Sequence, residues 1–489
     1  MISKITATKN TAKAYEKIVR AFKARKKGAT NADISAATGL PLNTVRELVP
    51  AAADEYNGRL EVTESGEILY SFPHGFSSRY RGFGPSARKA ATAAHRAIIA
   101  AGTSVFKIWI MVMLVGYFIV FMLIALASLF LSLAASSSNN RSRRGSTGNM
   151  YFSMSIFNLI LRLWFYSELT KPRTQGGFEK SRTPSKPLHR AIFSFIFGDK
   201  DPNAAFEDEI KKTFIAYLKE NRGVISLPEF MVISGLEPDE AGQAISAICV
   251  EFNGSPEATE DGTVVYRFDE ILLASEKSEK KNGLPLHFKA LESFSSNPEK
   301  MNWWFNVING VNLVFGTYFL YNAFSIGHFL AEQSSRIYMI VYLFLLQYTD
   351  PLPVITIALG IVPLVFSFLF WLIPILRRVS LNKKNTKLRF ENFRKFSFLK
   401  IWNSPLAVKK TDLSSPYKDA NPDNLTSAQD IIIREMGAYS IPEVSLDDSK
   451  NELYSFAELQ RERKALEKYR LTINPEDSSI GKTVFDSSI

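Results

Sequence analysis

One cysteine, Cys249, stands in a chain of 489 residues. That excludes an intramolecular disulfide and any cysteine-based zinc or iron–sulfur site within one chain. The five histidines (His74, His95, His189, His287, His328) lie far apart and show no metal-ligand spacing. Also missing are a phosphate-cradling glycine loop, a nucleophile motif and a pair of catalytic carboxylates, so neither a cofactor nor an enzymatic activity is expected. Residues 1–27 carry nine Lys or Arg against one acid, Glu16, with no apolar stretch behind them, so a signal peptide is not expected. The most telling absence is of charge, from several long stretches of a chain whose balance is +11.

Ile108 to Ala135 has no charged residue and consists mostly of Leu, Ile, Val, Phe and Met. A helix rises ~1.5 Å per residue, so ~20 residues cross a ~30 Å hydrocarbon core. The expected transmembrane helices are 105–135, 301–327 and 351–376. The apolar segment 337–349 is too short to cross upright and is expected to be re-entrant or interfacial. Residues 136–170 read as a basic loop followed by an apolar segment, Tyr151–Tyr166, that spans or lies in the interface. The basic tail after Leu376 and the basic start of the connector 171–204 place both on the cytoplasmic side. The expected location is a bacterial plasma membrane, multi-pass, with both termini cytoplasmic and four crossings.

Residues 18–73 repeat at 214–269 with a constant offset of 196 and no gap. Gly39-Leu40 matches Gly235-Leu236, and Glu55-Tyr56-Asn57-Gly58 matches Glu251-Phe252-Asn253-Gly254. Thr63-Glu64-Ser65-Gly66 matches Thr259-Glu260-Asp261-Gly262, and Tyr70 and Phe72 match Tyr266 and Phe268. Each unit reads as three helices and a hairpin: about Ala12–Lys27, a short helix capped by Asn31, Leu42–Tyr56, then strands 59–63 and 67–72. Copy two places its helices at about Ala205–Glu220, Leu227–Ser234 and Pro238–Phe252. Such a unit resembles a winged helix. The expected fold is therefore an α-helical membrane protein with α+β winged-helix-like soluble modules, at 1–73 and 205–275, with 74–104 as linker and helix. Leu453-Tyr454-Ser455-Phe456 resembles Leu69-Tyr70-Ser71-Phe72, which suggests a partial third wing within the tail, 379–489.

A winged helix raises the question of DNA. Affinity for DNA comes largely from cations that neutralise phosphates. The third helix of copy one has Arg46 against Glu47, Asp54 and Glu55, and that of copy two has acids and no base. Helix A of copy one is basic: Lys13, Lys17, Arg20, Lys23, Arg25, Lys26 and Lys27. This set is a candidate contact for phosphate or anionic lipid headgroups, with a plain solvated face as the bland alternative. Asn306, Asn309 and Asn312 recur every three residues beside Gly310 and Gly316, as an interhelical polar face would. Cys249 falls inside a helix, where a small buried thiol is expected. Residues 379–410 are basic and aromatic and are expected along lipid headgroups; 411–430 read as a linker, and the end after Thr472 as disordered.

The run Phe193-Ser194-Phe195-Ile196-Phe197-Gly198-Asp199, with Asp201-Pro202-Asn203, Phe252-Asn253-Gly254-Ser255-Pro256-Glu257 and Gly262-Thr263-Val264-Val265-Tyr266-Arg267-Phe268, resembles uncharacterised membrane proteins of cyanobacteria and plastids. Some of these are labelled as an iron–sulfur cluster biosynthesis family. The resemblance covers about 190–275 and implies a membrane-bound protein; the single cysteine offers no ligand set for a cluster. The expected function is a membrane-anchored, non-enzymatic scaffold or adaptor. Its partners would be the lipid bilayer, anionic headgroups and a protein. A membrane-tethered regulator that binds nucleic acid, and a transporter or its accessory subunit, are the alternatives.

Overall fold

The computed structural model describes residues 2–25, 28–73, 75–76, 83–137, 186–273, 283–326, 336–446, 451–474 and 481–487. Tyr151–Tyr166, Lys26, Lys27 and residues 447–450 lie outside the described residues. In chain order the elements begin with α1 (Ile2–Ala24), α2 (Asn31–Thr38), α3 (Leu42–Glu55), β1 (Arg59–Thr63) and β2 (Ile68–Ser71). Next come α4 (Phe83–Met111), a π turn (Val112–Gly116), α5 (Tyr117–Ser137) and α6 (Leu188–Phe197). Then follow α7 (Phe206–Glu220), β3 (Val224–Ser226), α8 (Leu227–Ser234), α9 (Pro238–Phe252), β4 (Ser255–Ala258), β5 (Val264–Arg267) and α10 (Asp269–Leu272). Further on are α11 (Glu299–Ile326), α12 (Arg336–Leu346), α13 (Pro351–Val354), a second π segment (Ile355–Ile361) and α14 (Val362–Asn403). The chain ends with β6 (Val408–Lys409), α15 (Leu425–Tyr439), β7 (Glu443–Leu446), β8 (Glu452–Ser455), α16 (Ala457–Thr472) and β9 (Thr483–Asp486). Two compact units divide it: residues 1–88, 201–292 and 383–489, and residues 89–200 and 293–382.

The first unit holds three small antiparallel sheets, ordered β2-β1-β9, β3-β5-β4 and β6-β8-β7. One register recurs in all three. Tyr70 faces Leu60 and bridges to Ala29; Tyr266 faces Pro256 and Ile225; Tyr454 faces Val444 and Val408. The first two sets are offset by 196 residues throughout, and the second and third hairpins by 188 (256 to 444, 266 to 454). After the central strand comes a phenylalanine: Phe268 and Phe456 are fully buried, and their N–H groups donate to the Gly223 and Pro405 carbonyls at 2.8 Å.

Local sequence explains the helix boundaries. The cap of α2 is Thr30, not Asn31. Thr30 Oγ1 accepts from the Asp33 N–H, and the Asp33 carboxylate accepts from the Thr30 N–H. That reciprocal pair satisfies two donors that a helix start leaves open. Ser226 and Glu229 occupy the same places ahead of α8. Behind α3 and α9, Asn57 and Asn253 adopt left-handed backbone, each at φ 54. The next residue must be glycine, because a Cβ at Gly58 would lie 2.8 Å from the Phe72 ring and one at Gly254 would strike Phe268.

Several expectations about the tail fail. The aromatic stretch after Leu376 does not line headgroups: Phe393, Phe398, Ile401 and Trp402 sit at 0–4% exposure in the core of the first unit. Residues 411–430 are not a plain linker, since Leu413, Ala420 and Ala428 are buried and α15 begins at Leu425. The chain end is not without structure, because β9 pairs with β1. In the first two cases burial of side chains decided the outcome, and in the third pairing of backbone with a distant strand; a reading of local composition sees neither.

The second unit is helical. The stripe of α6 packs Ala191, Ile192, Phe195 and Ile196 against Phe305 and Phe370. Phe121, Phe319, Tyr338 and Ile355 form a second cluster. Among the described residues two helices are long and apolar enough to cross a membrane: Ala97–Leu131, and the apolar part of Pro351–Asn403. α11, expected to span at 301–327, does not join them: its asparagines, glycines and tyrosines dilute its apolar character. α12 has 11 residues, about 16 Å at ~1.5 Å each, which is too short to span.

Candidate functional site

The face that would meet a nucleic acid is the third helix of each sheet-bearing unit. In the first unit, α9 touches both α3 and α15. Arg46, the base of α3, forms an ion pair with Glu270 at 2.8 Å. Asn43 Nδ2 donates to the Val250 carbonyl on α9 at 3.2 Å. The third helix of copy one therefore spends Asn43 on α9 and Arg46 on α10.

The two acids that cap second helices are also anchors. Asp33, fully buried, pairs with Arg25 at 3.6 Å and with Lys219 of α7 at 3.5 Å. Glu229, 4% exposed, pairs with Arg470 of α16 at 2.6 Å. A buried carboxylate is tolerable only when paired in this way, and removing one partner costs about 3–5 kcal/mol. Sequence reading singled out neither acid, and their long-range partners, 186 and 241 residues away (219 against 33, 470 against 229), leave no local signal.

The basic residues of α1 do not form one open patch. Lys17 pairs with Asp208 at 2.7 Å, Arg20 stands 4.0 Å from Glu16, and Lys23 lies over the Tyr56 and Phe76 rings. Arg25 turns inward to Asp33, while Lys13 is exposed. Lys26 and Lys27 lie outside the described residues.

Glu462 and Lys395 are among the displaced titratable groups of the first unit. Burial pushes Glu462 up to about 7, with the nearby Glu229 charge adding and the Tyr439 hydroxyl, at 2.9 and 3.0 Å, opposing. Burial pushes Lys395 down to about 8, helped by Lys289 and opposed by Glu391. Its ammonium donates to the His287 carbonyl at 3.1 Å and lies 4.8 Å from the Phe206 ring centre. The Cys249 thiol is buried and held above its ordinary pKa by that burial. Among the described residues no three His, Cys, Asp or Glu side chains gather as a metal set would.

In the second unit, Arg377 holds the end of α6. Its guanidinium donates to the carbonyls of Phe195 (2.8 Å), Ile196 (3.1 Å) and Phe294 (2.7 Å). The first two are carbonyls that the end of α6 leaves unpaired, and the third lies in the irregular segment before α11. Gly198, at φ +88, leaves room for it: a Cβ there would lie 2.7 Å from the guanidinium. Asp199 accepts from Lys186, Ser194 and both donors of Ser296, which hold its carboxyl well below the usual carboxylate range despite burial pulling the other way. The Phe-Gly-Asp run is thus a structural clamp. Sequence reading missed Arg377, which looked like one more positive charge behind an apolar run.

The asparagines of α11 take different partners. Asn306 Oδ1 accepts from Trp371 Nε1 at 3.1 Å and is exposed. Asn309 Nδ2 donates to the Ser367 carbonyl at 3.0 Å, and Asn312 Nδ2 to the Leu114 carbonyl at 2.8 Å; both residues are fully buried.

No family model matches the chain, and no solved structure matches it. It is similar to an uncharacterised chloroplastic protein of Arabidopsis thaliana, with 23% identity over 406 residues, covering 79% of this chain and 72% of that relative.

Proposed function

We propose that the chain is a membrane-anchored, non-enzymatic scaffold whose winged-helix-like modules bind protein, within the chain and outside it. The first unit then contains three such modules, not two and a fragment. Residues from about 388 to 403 of α14 act as the first helix of the third, followed by β6, α15 and the β7–β8 hairpin. The recurring register around Tyr70, Tyr266 and Tyr454 supports this duplication. The observation that carries the function is the use of α3 and α9. The helices that would enter a groove are turned against protein, and the Arg46 charge needed for phosphate is consumed by Glu270. On this reading the apolar helices anchor the modules in a bacterial plasma membrane with both termini cytoplasmic. The exposed Lys13 and Arg20 then face anionic headgroups.

The test is photo-cross-linking of the intact protein in its native membranes, followed by nuclease digestion. A protein adduct that survives the nuclease is expected. The runner-up, a tethered nucleic-acid regulator, predicts adducts that vanish with nuclease and tight binding of duplex DNA that weakens steeply with salt; either result overturns the scaffold reading.

A further inference from the structure

The second unit buries polar atoms that its packing does not account for. Asn309, Asn312 and Ser367 are fully buried. The two amide nitrogens are spent on backbone carbonyls of neighbouring elements. The amide oxygens of Asn309 and Asn312 and the Ser367 hydroxyl have no hydrogen-bond partner among the described residues. Leaving such an atom unpaired costs about 1–3 kcal/mol, and native interiors keep few of them. Interhelical packing explains the nitrogens and leaves three oxygens over.

The backbone is irregular at the same place. Leu114, whose carbonyl takes Asn312, belongs to the π turn Val112–Gly116. Ser367 lies six residues beyond the π segment Ile355–Ile361 (367 against 361). Gly316 of α11 sits against that segment, since a Cβ there would lie 3.3 Å from the Gly360 carbonyl. π turns are rare and gather at functional sites. Asn309 and Asn312 are one turn apart on α11, so their side chains are neighbours on the helix surface.

The chemistry of the set selects the ligand. It offers two amide oxygens and a hydroxyl, beside two helical carbonyls whose lone pairs are taken by backbone and by the asparagine nitrogens. Every atom is a neutral oxygen, and acceptors outnumber donors. Calcium and magnesium sites draw on carboxylates, and transition metals on imidazole or thiolate; this set has none of them. Neutral oxygens beside irregular helix backbone suit an alkali cation that has shed part of its water. We propose that the amide oxygens of Asn309 and Asn312 and the Ser367 hydroxyl form a binding site for a monovalent alkali cation. This site stands independently of the scaffold reading and uses residues outside the sheet-bearing modules.

The experiment is thermal unfolding of the full chain in detergent, titrated with NaCl, KCl or choline chloride at constant ionic strength. Tm is expected to climb with the logarithm of one alkali cation's concentration and to stay flat in choline. Asn312→Ala should abolish that dependence. Ser367→Ala, which keeps the backbone carbonyl and both amide bonds, should weaken it at least tenfold in apparent affinity while the protein stays folded. Coincident curves in all three salts would mean that the pocket holds water only and would overturn the proposal. So would a cation response unchanged in Ser367→Ala.

Discussion

Glu462 is a carboxyl kept half-buried against Tyr439, with its folded-state pKa raised from 4.5 to about 7. A group raised on folding binds more protons in the folded state between those two values. Its stabilisation is complete below about pH 4.5 and is lost as pH rises through 7. Glu462→Gln, which keeps a partner for Tyr439, should flatten the urea midpoint between pH 5 and 7.5, where the parent declines. Lys395 runs the other way: its folded pKa is depressed from 10.5 to about 8, so stability should increase from pH 8 to 10.5. Lys395→Met should erase that increase, as followed by chemical unfolding across the alkaline range.

At the scale of elements, α3 and α9 show why charge counts mislead. Arg46 is a base on a helix that topology would offer to a groove, and it is neutralised by an acid 224 residues away (270 against 46). The pair is 39% and 23% exposed in its side chains, so its worth is modest, roughly 1 kcal/mol or less. Arg46→Glu should lower the unfolding midpoint by bringing two carboxylates together, and Glu270→Arg in the same chain should restore it. Recovery in the double variant, measured as a double-mutant cycle, is the expected result; no recovery would show that α3 is held by other contacts. The caps were misplaced by one residue or missed: sequence reading puts at Asn31 the cap that Thr30 supplies, and it passes over the Ser226–Glu229 pair. The strands β3, β6 and β9 were not legible, being two to four residues long and defined only by what they pair with.

For the whole molecule, the two longest apolar helices expose much of their surface. Leu123, Phe130, Leu131, Phe368, Ile375 and Leu376 are 54–67% exposed. Surface of that kind in water would drive aggregation, whereas lipid tails solvate it at no cost. The protein should therefore remain in the membrane pellet through alkaline carbonate washing and leave it only with detergent. Recovery in the aqueous supernatant would sink the anchoring reading and the scaffold with it.

Residue order alone settled the helices of the repeated modules, their hairpins and the charge-free runs. Each depends on neighbours within a few residues: periodic side chains, capping pairs, left-handed turns. The 196-residue offset was equally plain, because residues that match at a constant spacing need no coordinates to be seen. Folding in space supplied the rest. It buried Phe393, Phe398 and Trp402 in a core instead of against lipid, gave Tyr454 the strand pairing of Tyr70 and Tyr266, and set Arg377 on the end of α6. Those outcomes turn on which distant surfaces exclude water together, and pairings across hundreds of residues leave no trace in local composition.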